Sequence, residues 1–126
     1  NHSYEMIKRS MACVINLPTA DMVDQVVAIG NCSGEDTDKF TAFGLTAQPA
    51  EQVDAPLIAE CYANFECKLA QVAGNPKGGF FIFECVKAHV ATSPKLPETL
   101  HYRGNGEFMV SGRTISRKSL MKPEMS

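Results

Sequence analysis

The alternation of hydrophobic and polar positions predicts strands in the middle of the chain. From Tyr62 to Leu69 apolar and polar residues alternate, which is the period of a strand with one face in the core and the other in water. The face predicted for the core carries Ala63, Phe65, Cys67 and Leu69, and the face predicted for water carries Asn64, Glu66 and Lys68. The most hydrophobic stretch, Phe80 to Ala91, follows a turn-rich segment and begins apolar on both faces. It predicts a strand covered on both sides, for which a partner subunit is one candidate cover.

Shorter runs predict the remaining elements. Three further strands are predicted at residues 12–17, 100–102 and 108–110, the first of them apolar and therefore buried. Apolar residues at helical spacing predict one helix capped by Ser3 and a second capped by Thr19 and ended at Gly30. A polar loop then leads into one helical turn that ends at Gly44. The pattern predicts a mainly β fold with small helices, arranged as a Greek-key barrel of short strands.

Length, composition and charge exclude several classes of protein. With 126 residues, of which 44% are hydrophobic and 21% charged, the chain is expected to form one soluble domain over residues 1–126. Acidic residues number 14 and basic residues 12, which argues against a nucleic-acid partner. The longest apolar run is far shorter than the roughly 18 residues of a membrane span, so no membrane partner is expected. The three histidines are widely separated in sequence, and no metal site is predicted.

The cysteines indicate a reducing compartment. There are five of them, an odd number, and most stand in apolar segments without a C-x-x-C spacing. Reduced thiols used for packing have this distribution, which favours a cytoplasmic location. The chain begins with Asn1 rather than methionine, which suggests that it starts within a longer protein.

Several segments become informative when they are taken together in order along the chain. They are Asn1-His2-Ser3-Tyr4, the run CVINLP at residues 13–18, the motif SGEDTDKF at residues 33–40 with GLT at residues 44–46, residues 55–67, and FECVKAH at residues 83–89. In this order they resemble the flavin reductase family, which includes flavoredoxins and FMN-dependent NAD(P)H oxidoreductases. The resemblance implies the FMN-binding split β-barrel, of which this chain corresponds to the C-terminal two-thirds. Residues 33–40 are the most specific segment.

The resemblance also implies a cofactor site. FMN has an anionic phosphate, a polar ribityl chain and a flat apolar ring, so its site needs amides and cations at one end and apolar walls at the other. The residues implied to contact it are Asn1, His2, Ser3, Asn16, Ser33, Lys39, Phe40, His101 and Tyr102. The start of the first helix and Lys39 are expected at the phosphate. His101 and Tyr102 are expected near the flavin of a neighbouring subunit, and no catalytic residue is assigned.

Each of these residues also has an ordinary structural interpretation. Ser3 is equally well explained as a helix cap. Lys39 is a surface lysine that would commonly pair with Asp36 or Asp38. Asn16 closes a strand predicted to be buried, where its amide either ties down a neighbouring loop or reaches ribityl oxygens.

The resulting functional hypothesis is a homodimeric FMN-binding oxidoreductase domain that takes hydride or electrons from NAD(P)H or a redox partner. Two departures from the family pattern leave alternatives open. The family has an upstream strand and loop that bind the flavin phosphate, and the given sequence does not include that segment. Many reductases also carry Asp-His before the long strand, where this sequence has Lys77 and Gly78. The alternatives are a non-catalytic flavin-binding electron carrier and a dimerisation scaffold that has lost flavin binding.

Overall fold

The chain folds into a three-stranded antiparallel sheet and two small ladders, with short helices packed beside them. The computed structural model describes residues 2–75 and 78–125, so Asn1 and Lys77 lie outside the described residues. The helices are α1 (His2–Ser10), α2 (Val23–Gly30) and α3 (Lys39–Ala42). The strands are β1 (Ala12–Leu17), β2 (Ala47–Gln48), β3 (Leu57–Ile58), β4 (Ala63–Asn75), β5 (Gly78–Val90), β6 (Leu100–Gly104) and β7 (Glu107–Val110). This mainly β architecture with small helices agrees with the sequence prediction.

The main sheet has the order β1-β4-β5, with every neighbour antiparallel. The ladders β2-β3 and β6-β7 are separate from it. A bulge between β4 and β5 follows Glu66 and shifts the register by one residue, which locally increases the twist of the sheet. No helix among the described residues is long and apolar enough to cross a membrane.

The polar face of β4 is buried at Asn64 and Glu66, contrary to the prediction that it meets water, whereas Lys68 is exposed as predicted. Asn64 is 8% exposed and Glu66 is completely buried. One carboxylate oxygen of Glu66 accepts a hydrogen bond from the backbone N–H of Gln52 at 2.6 Å, and the other from that of Glu51 at 3.1 Å. His89 on β5 lies 2.5 Å from the same carboxylate. The segment before β3 covers this face because the N–H groups of Glu51 and Gln52 bind the carboxylate of Glu66.

Two strands are more exposed in the single chain than their composition predicts. On β1, Ile15 and Leu17 are 48% and 38% exposed, so the prediction of a buried strand is wrong for this chain alone. On β5, the ring of Phe81 stacks on that of Tyr4, but Phe80 and Ile82 are 76% and 46% exposed. The prediction that both faces of β5 are covered is therefore also wrong within one chain.

The first helix is held against the long hairpin by aromatic packing. Ser3 lies inside the first turn of α1, so the prediction that it precedes and caps the helix is wrong. The ring of Tyr4 stacks on Phe81 with centroids 5.2 Å apart. The helix ends at Ser10, and Met11 follows with a positive φ of 56°. Stacking near the first turn fixes the direction in which the start of α1 points.

The second helix ends where the sequence predicts, at Gly30. Thr19 precedes a 3₁₀ turn that runs into α2, and its hydroxyl bonds the carboxylate of Asp21 rather than a backbone amide. A core cluster of Met22, Leu45 and Cys61, with Val26, Ile29, Phe40, Phe43 and Ile58 packed against it, joins α2 to α3 and β3. The β6-β7 hairpin is tied to the same region because the Ala20 N–H donates to the carbonyl of Glu98 at 2.9 Å.

Candidate functional site

The start of α1 and the loop that follows α2 face one another across a polar cavity of about 530 Å³. Its walls are His2, Ser3, Ile29, Gly30, Asn31, Cys32, Ser33, Gly34 and Lys39. Of the nine residues predicted to contact a cofactor, four therefore line one cavity: His2, Ser3, Ser33 and Lys39. They come from two segments about thirty residues apart, which the fold brings together.

His2 is positioned by close contact with the loop. A Cβ at Gly34 would lie 3.1 Å from Cδ2 of the His2 ring, so any larger residue at that position would push the ring away. Nδ1 of His2 lies 3.6 Å from a carboxylate oxygen of Glu35, which is exposed. The hydroxyl of Ser33 accepts a hydrogen bond from the Glu35 N–H at 3.2 Å and holds the turn in shape.

Lys39 is anchored on the end of α2. Its ammonium donates a hydrogen bond to the carbonyl of Ile29 at 2.8 Å, and within the described residues it forms no ion pair with Asp36 or Asp38. Asp38 instead caps α3: its carboxylate accepts from the Thr41 hydroxyl at 2.8 Å and from two backbone amides. These bonds, the Thr41 hydroxyl first, hold the pKa of Asp38 below its usual value. An ammonium has three donors, so Lys39 keeps two for a group in the cavity.

A second, apolar cavity of about 460 Å³ lies between α2 and the β6-β7 hairpin. Its walls are Val26, Val27, Gly30, Asn31, Tyr102, Gly106 and Phe108. Tyr102, expected near the flavin of a neighbouring subunit, lines this cavity within its own chain, and its ring lies across the hairpin from that of Phe108 with centroids 5.1 Å apart. Gly30 and Asn31 belong to the walls of both cavities. The two cavities therefore adjoin, and together they offer a polar, cationic end and an aromatic end.

Three other predicted residues are engaged elsewhere in the fold. The side-chain oxygen of Asn16 accepts from the Ile58 N–H at 3.1 Å and from the Asn64 amide at 2.6 Å. That network ties β3 to the main sheet. Phe40 packs against the core cluster, and Nε2 of His101 lies 3.0 Å from the Thr99 hydroxyl. Asn1, the ninth residue, lies outside the described residues.

The wall residues that sequence reasoning missed include Gly30, Asn31 and Phe108. The first two had a sufficient explanation as the end of α2. Phe108 occurs in a predicted strand, and only its pairing with Tyr102 across the hairpin shows that it contributes to an aromatic wall. A Phe and a Tyr flanking a short turn were the available signal.

The chain matches the model of a known protein family over most of its length. The model of the flavin reductase like domain matches residues 1–108. The chain belongs to this family. The match includes both segments of the polar cavity and ends at Phe108 in the aromatic wall, so both cavities lie within the family domain.

Solved structures of the family have the same fold. Flavoredoxin of Desulfovibrio vulgaris (Miyazaki F) superposes with a TM-score of 0.82 at 27% identity, over 94% of this chain and 68% of its own. The FMN-binding domain of a flavin reductases-like enzyme from Shewanella baltica OS155 superposes with a TM-score of 0.73 at 25% identity, over 91% of this chain and 68% of its own. The split-barrel fold expected from the sequence is confirmed by these likenesses.

The matched region is only part of longer relatives. A protein of Methanothermobacter thermautotrophicus whose function is not described is 36% identical over 74 residues, which are 59% of this chain and 35% of that protein. The chain thus spans about a third of the length of this curated relative.

Proposed function

We propose that the chain is the FMN-binding part of an oxidoreductase domain, in which hydride or electrons pass between NAD(P)H or a redox partner and the flavin. The observation that carries this proposal is the pair of adjoining cavities with Gly30 and Asn31 in their common wall. A cationic cavity next to an aromatic cavity matches the shape of FMN, in which the ribityl chain separates the phosphate from the ring.

The polar cavity suits the phosphate. Lys39 brings a positive charge that is already fixed by its bond to Ile29, so little side-chain entropy is lost when an anion binds. Ser3 and Ser33 add hydroxyl groups. The first turn of α1 adds backbone N–H groups and the positive end of the helix dipole.

The apolar cavity suits the isoalloxazine ring. Val26 and Val27 form one wall, and Tyr102 and Phe108 form the other. Flat aromatic ligands bind between such walls because burial of the ring removes apolar surface from water and aromatic pairs add favourable stacking. When bound, FMN supplies the hydride and electron chemistry, while the residues of the chain bind and orient it.

Replacement of Gly30 by alanine is expected to weaken FMN binding by about tenfold, equivalent to about 1.4 kcal/mol. A Cβ at Gly30 meets no atom within 4 Å, so the added methyl group would stand in open space at the common wall of the cavities. Folding should be unaffected because alanine favours helix more than glycine does.

The matched control for this change is Gly112→Ala, since a Cβ there also meets nothing within 4 Å and the residue lies outside both cavities. Flavin fluorescence titration measures the FMN affinity of each variant, and thermal melts show whether each variant is folded. Equal FMN affinity of the two variants would contradict the proposed position of the cofactor.

The proposed function is tested by reconstitution. The purified chain is mixed with excess FMN, free flavin is removed, and the protein fraction is examined for flavin absorbance. The proposal expects bound flavin, followed by steady oxidation of NADH or NADPH in the presence of an electron acceptor. Bound flavin without nicotinamide oxidation would indicate an electron carrier. Absence of flavin absorbance would contradict flavin binding by this chain.

Two further parts of the proposal concern assembly and location. We propose a homodimer in which the long strands of two copies pack together, and the exposure of Phe80 and Ile82 supports it because large apolar side chains favour a covered position.

We propose a cytoplasmic location, supported by five cysteines that are all free thiols.

A further inference from the structure

Three of the five cysteines form a row across the main sheet. Cys13 on β1 is directly opposite Cys67 on β4, and Cys67 is directly opposite Cys85 on β5. Residues opposite one another in an antiparallel sheet point to the same face. The three thiols therefore lie side by side on one face, with Cys67 in the middle.

The spacing of this row suits disulfides that contain Cys67. Opposed residues in antiparallel strands have Cα atoms about 4.5 or 5.5 Å apart, and disulfides join Cα atoms about 4.4–6.8 Å apart. Cys13 and Cys85 are two strands apart, so their Cα atoms are separated by about 10 Å. That exceeds the roughly 7 Å limit for a disulfide. Cys67 is thus the required partner in either bond.

Exposure differs along the row. Cys67 is only 3% exposed, Cys13 is half-buried, and Cys85 is exposed. Burial raises the pKa of the Cys67 thiol, and the neighbouring thiols of Cys13 and Cys85 raise it further. Burial also raises the pKa of Cys13. An oxidant from solvent therefore meets Cys85 first, and Cys67 lies next to it as the second thiol.

We propose that this row is a peroxide-responsive thiol site in which Cys67 forms a disulfide with Cys85 and can pass it to Cys13. The Cys85 thiolate attacks hydrogen peroxide, breaks the O–O bond, and becomes a sulfenic acid with release of one water after protonation. The Cys67 sulfur then displaces the sulfenic oxygen as a second water. In total two thiols are oxidised, one peroxide is reduced, and two waters form.

Exchange to Cys13 needs no further oxidant. The Cys13 thiolate attacks the Cys67 sulfur from the other side of the row, and Cys85 leaves as a thiolate. The first bond joins the two long strands, and the second joins edge strand β1 to the sheet. Since β1 directly follows α1, the second bond fixes the element that carries His2 and Ser3.

The test is disulfide mapping of the full chain. The reduced protein is treated with one equivalent of hydrogen peroxide, free thiols are alkylated, and a non-reducing digest is analysed by mass spectrometry. The expected result is the loss of two alkylation sites and a cross-linked peptide that joins Cys67 to Cys85 or to Cys13. Sulfinic or sulfonic acid at Cys85 without such a peptide would overturn the proposal, as would intermolecular disulfides alone.

Variants sharpen the result. Cys67→Ala is expected to lose every intramolecular disulfide, whereas Cys13→Ala should keep the bond between Cys67 and Cys85. Cys32→Ala is the matched control and should give the wild-type pattern, because Cys32 lies outside the row. Cys61 is an internal control and should stay reduced, since burial in the core raises the pKa of its thiol to about 11. If Cys67→Ala fails to fold, mapping of the wild type and of Cys13→Ala still decides the question.

Discussion

Replacing Lys39 with alanine is expected to weaken FMN binding by about tenfold to a hundredfold while riboflavin binding stays nearly constant. The reason is that Lys39 would donate to the phosphate, which riboflavin lacks, and a hydrogen bond between charged groups is worth about 1.5–3 kcal/mol. Fluorescence titration of both flavins measures the two affinities. Added salt should reduce the effect, because it screens the charge of the ammonium.

The matched control is Lys118→Ala, which removes an exposed lysine in the 3₁₀ turn Lys118–Leu120, outside both cavities. It should leave both affinities unchanged. If Lys39→Ala weakens FMN and riboflavin equally, then Lys39 acts only by holding the end of α2 through its bond to Ile29. Such a result would contradict the phosphate assignment.

Replacing Glu66 with glutamine is expected to lower Tm by about 5 °C or more at neutral pH. The carboxylate is completely buried and accepts hydrogen bonds from the N–H groups of Glu51 and Gln52 and from His89. A glutamine side chain has a single acceptor oxygen, so it leaves at least one buried donor without a partner. Thermal melts followed by circular dichroism measure the loss.

The same carboxylate predicts how stability depends on pH. Burial alone would raise the pKa of Glu66, but hydrogen bonds from His89, Gln52 and Glu51 outweigh it and lower the pKa from 4.5 to about 2. The folded pKa is below the unfolded one, so this contribution to stability is complete above about pH 4.5 and is lost as the pH falls towards 2. The Tm difference between wild type and Glu66→Gln should shrink over that range.

Glu51→Gln is the control for the pH series. Glu51 belongs to the same segment, but its carboxylate is 58% exposed and pairs with Lys87 at 3.2 Å. Exposed pairs contribute little, so this variant should follow the wild type closely at every pH. A Tm difference for Glu66→Gln that is constant from pH 6 to pH 2 would contradict the role of the ionised carboxylate.

The elements that follow from local signals could be predicted from the sequence. As predicted, β1 ends at Leu17 and α2 ends at Gly30, and β6 and β7 include the strands predicted at residues 100–102 and 108–110. The burial of Glu66 could not be predicted, because alternation indicates only that one face of β4 is polar. Its partners, the backbone donors at residues 51–52, come from an irregular segment with no periodic pattern.

The candidate site was predictable to the extent that motifs carry it. The resemblance implies His2, Ser3, Ser33 and Lys39, and the structure places all four on one cavity. The aromatic wall depends on the register of the β6-β7 hairpin, and the thiol row depends on the register of three strands. The register of a hairpin follows from its turn, and the register between β1 and β4 follows from the face that each strand buries, so neither can be read from a single local motif.

The central claim is that FMN occupies the adjoining cavities, and amide chemical-shift mapping tests it most directly. Addition of FMN to the ¹⁵N-labelled chain is expected to shift the amides of Ser3, Ser33 and Lys39 together with those of Gly30, Asn31 and Tyr102. Riboflavin should shift the second set and affect the first set far less. FMN shifts confined to other surfaces, or the same pattern for both flavins, would contradict the claim.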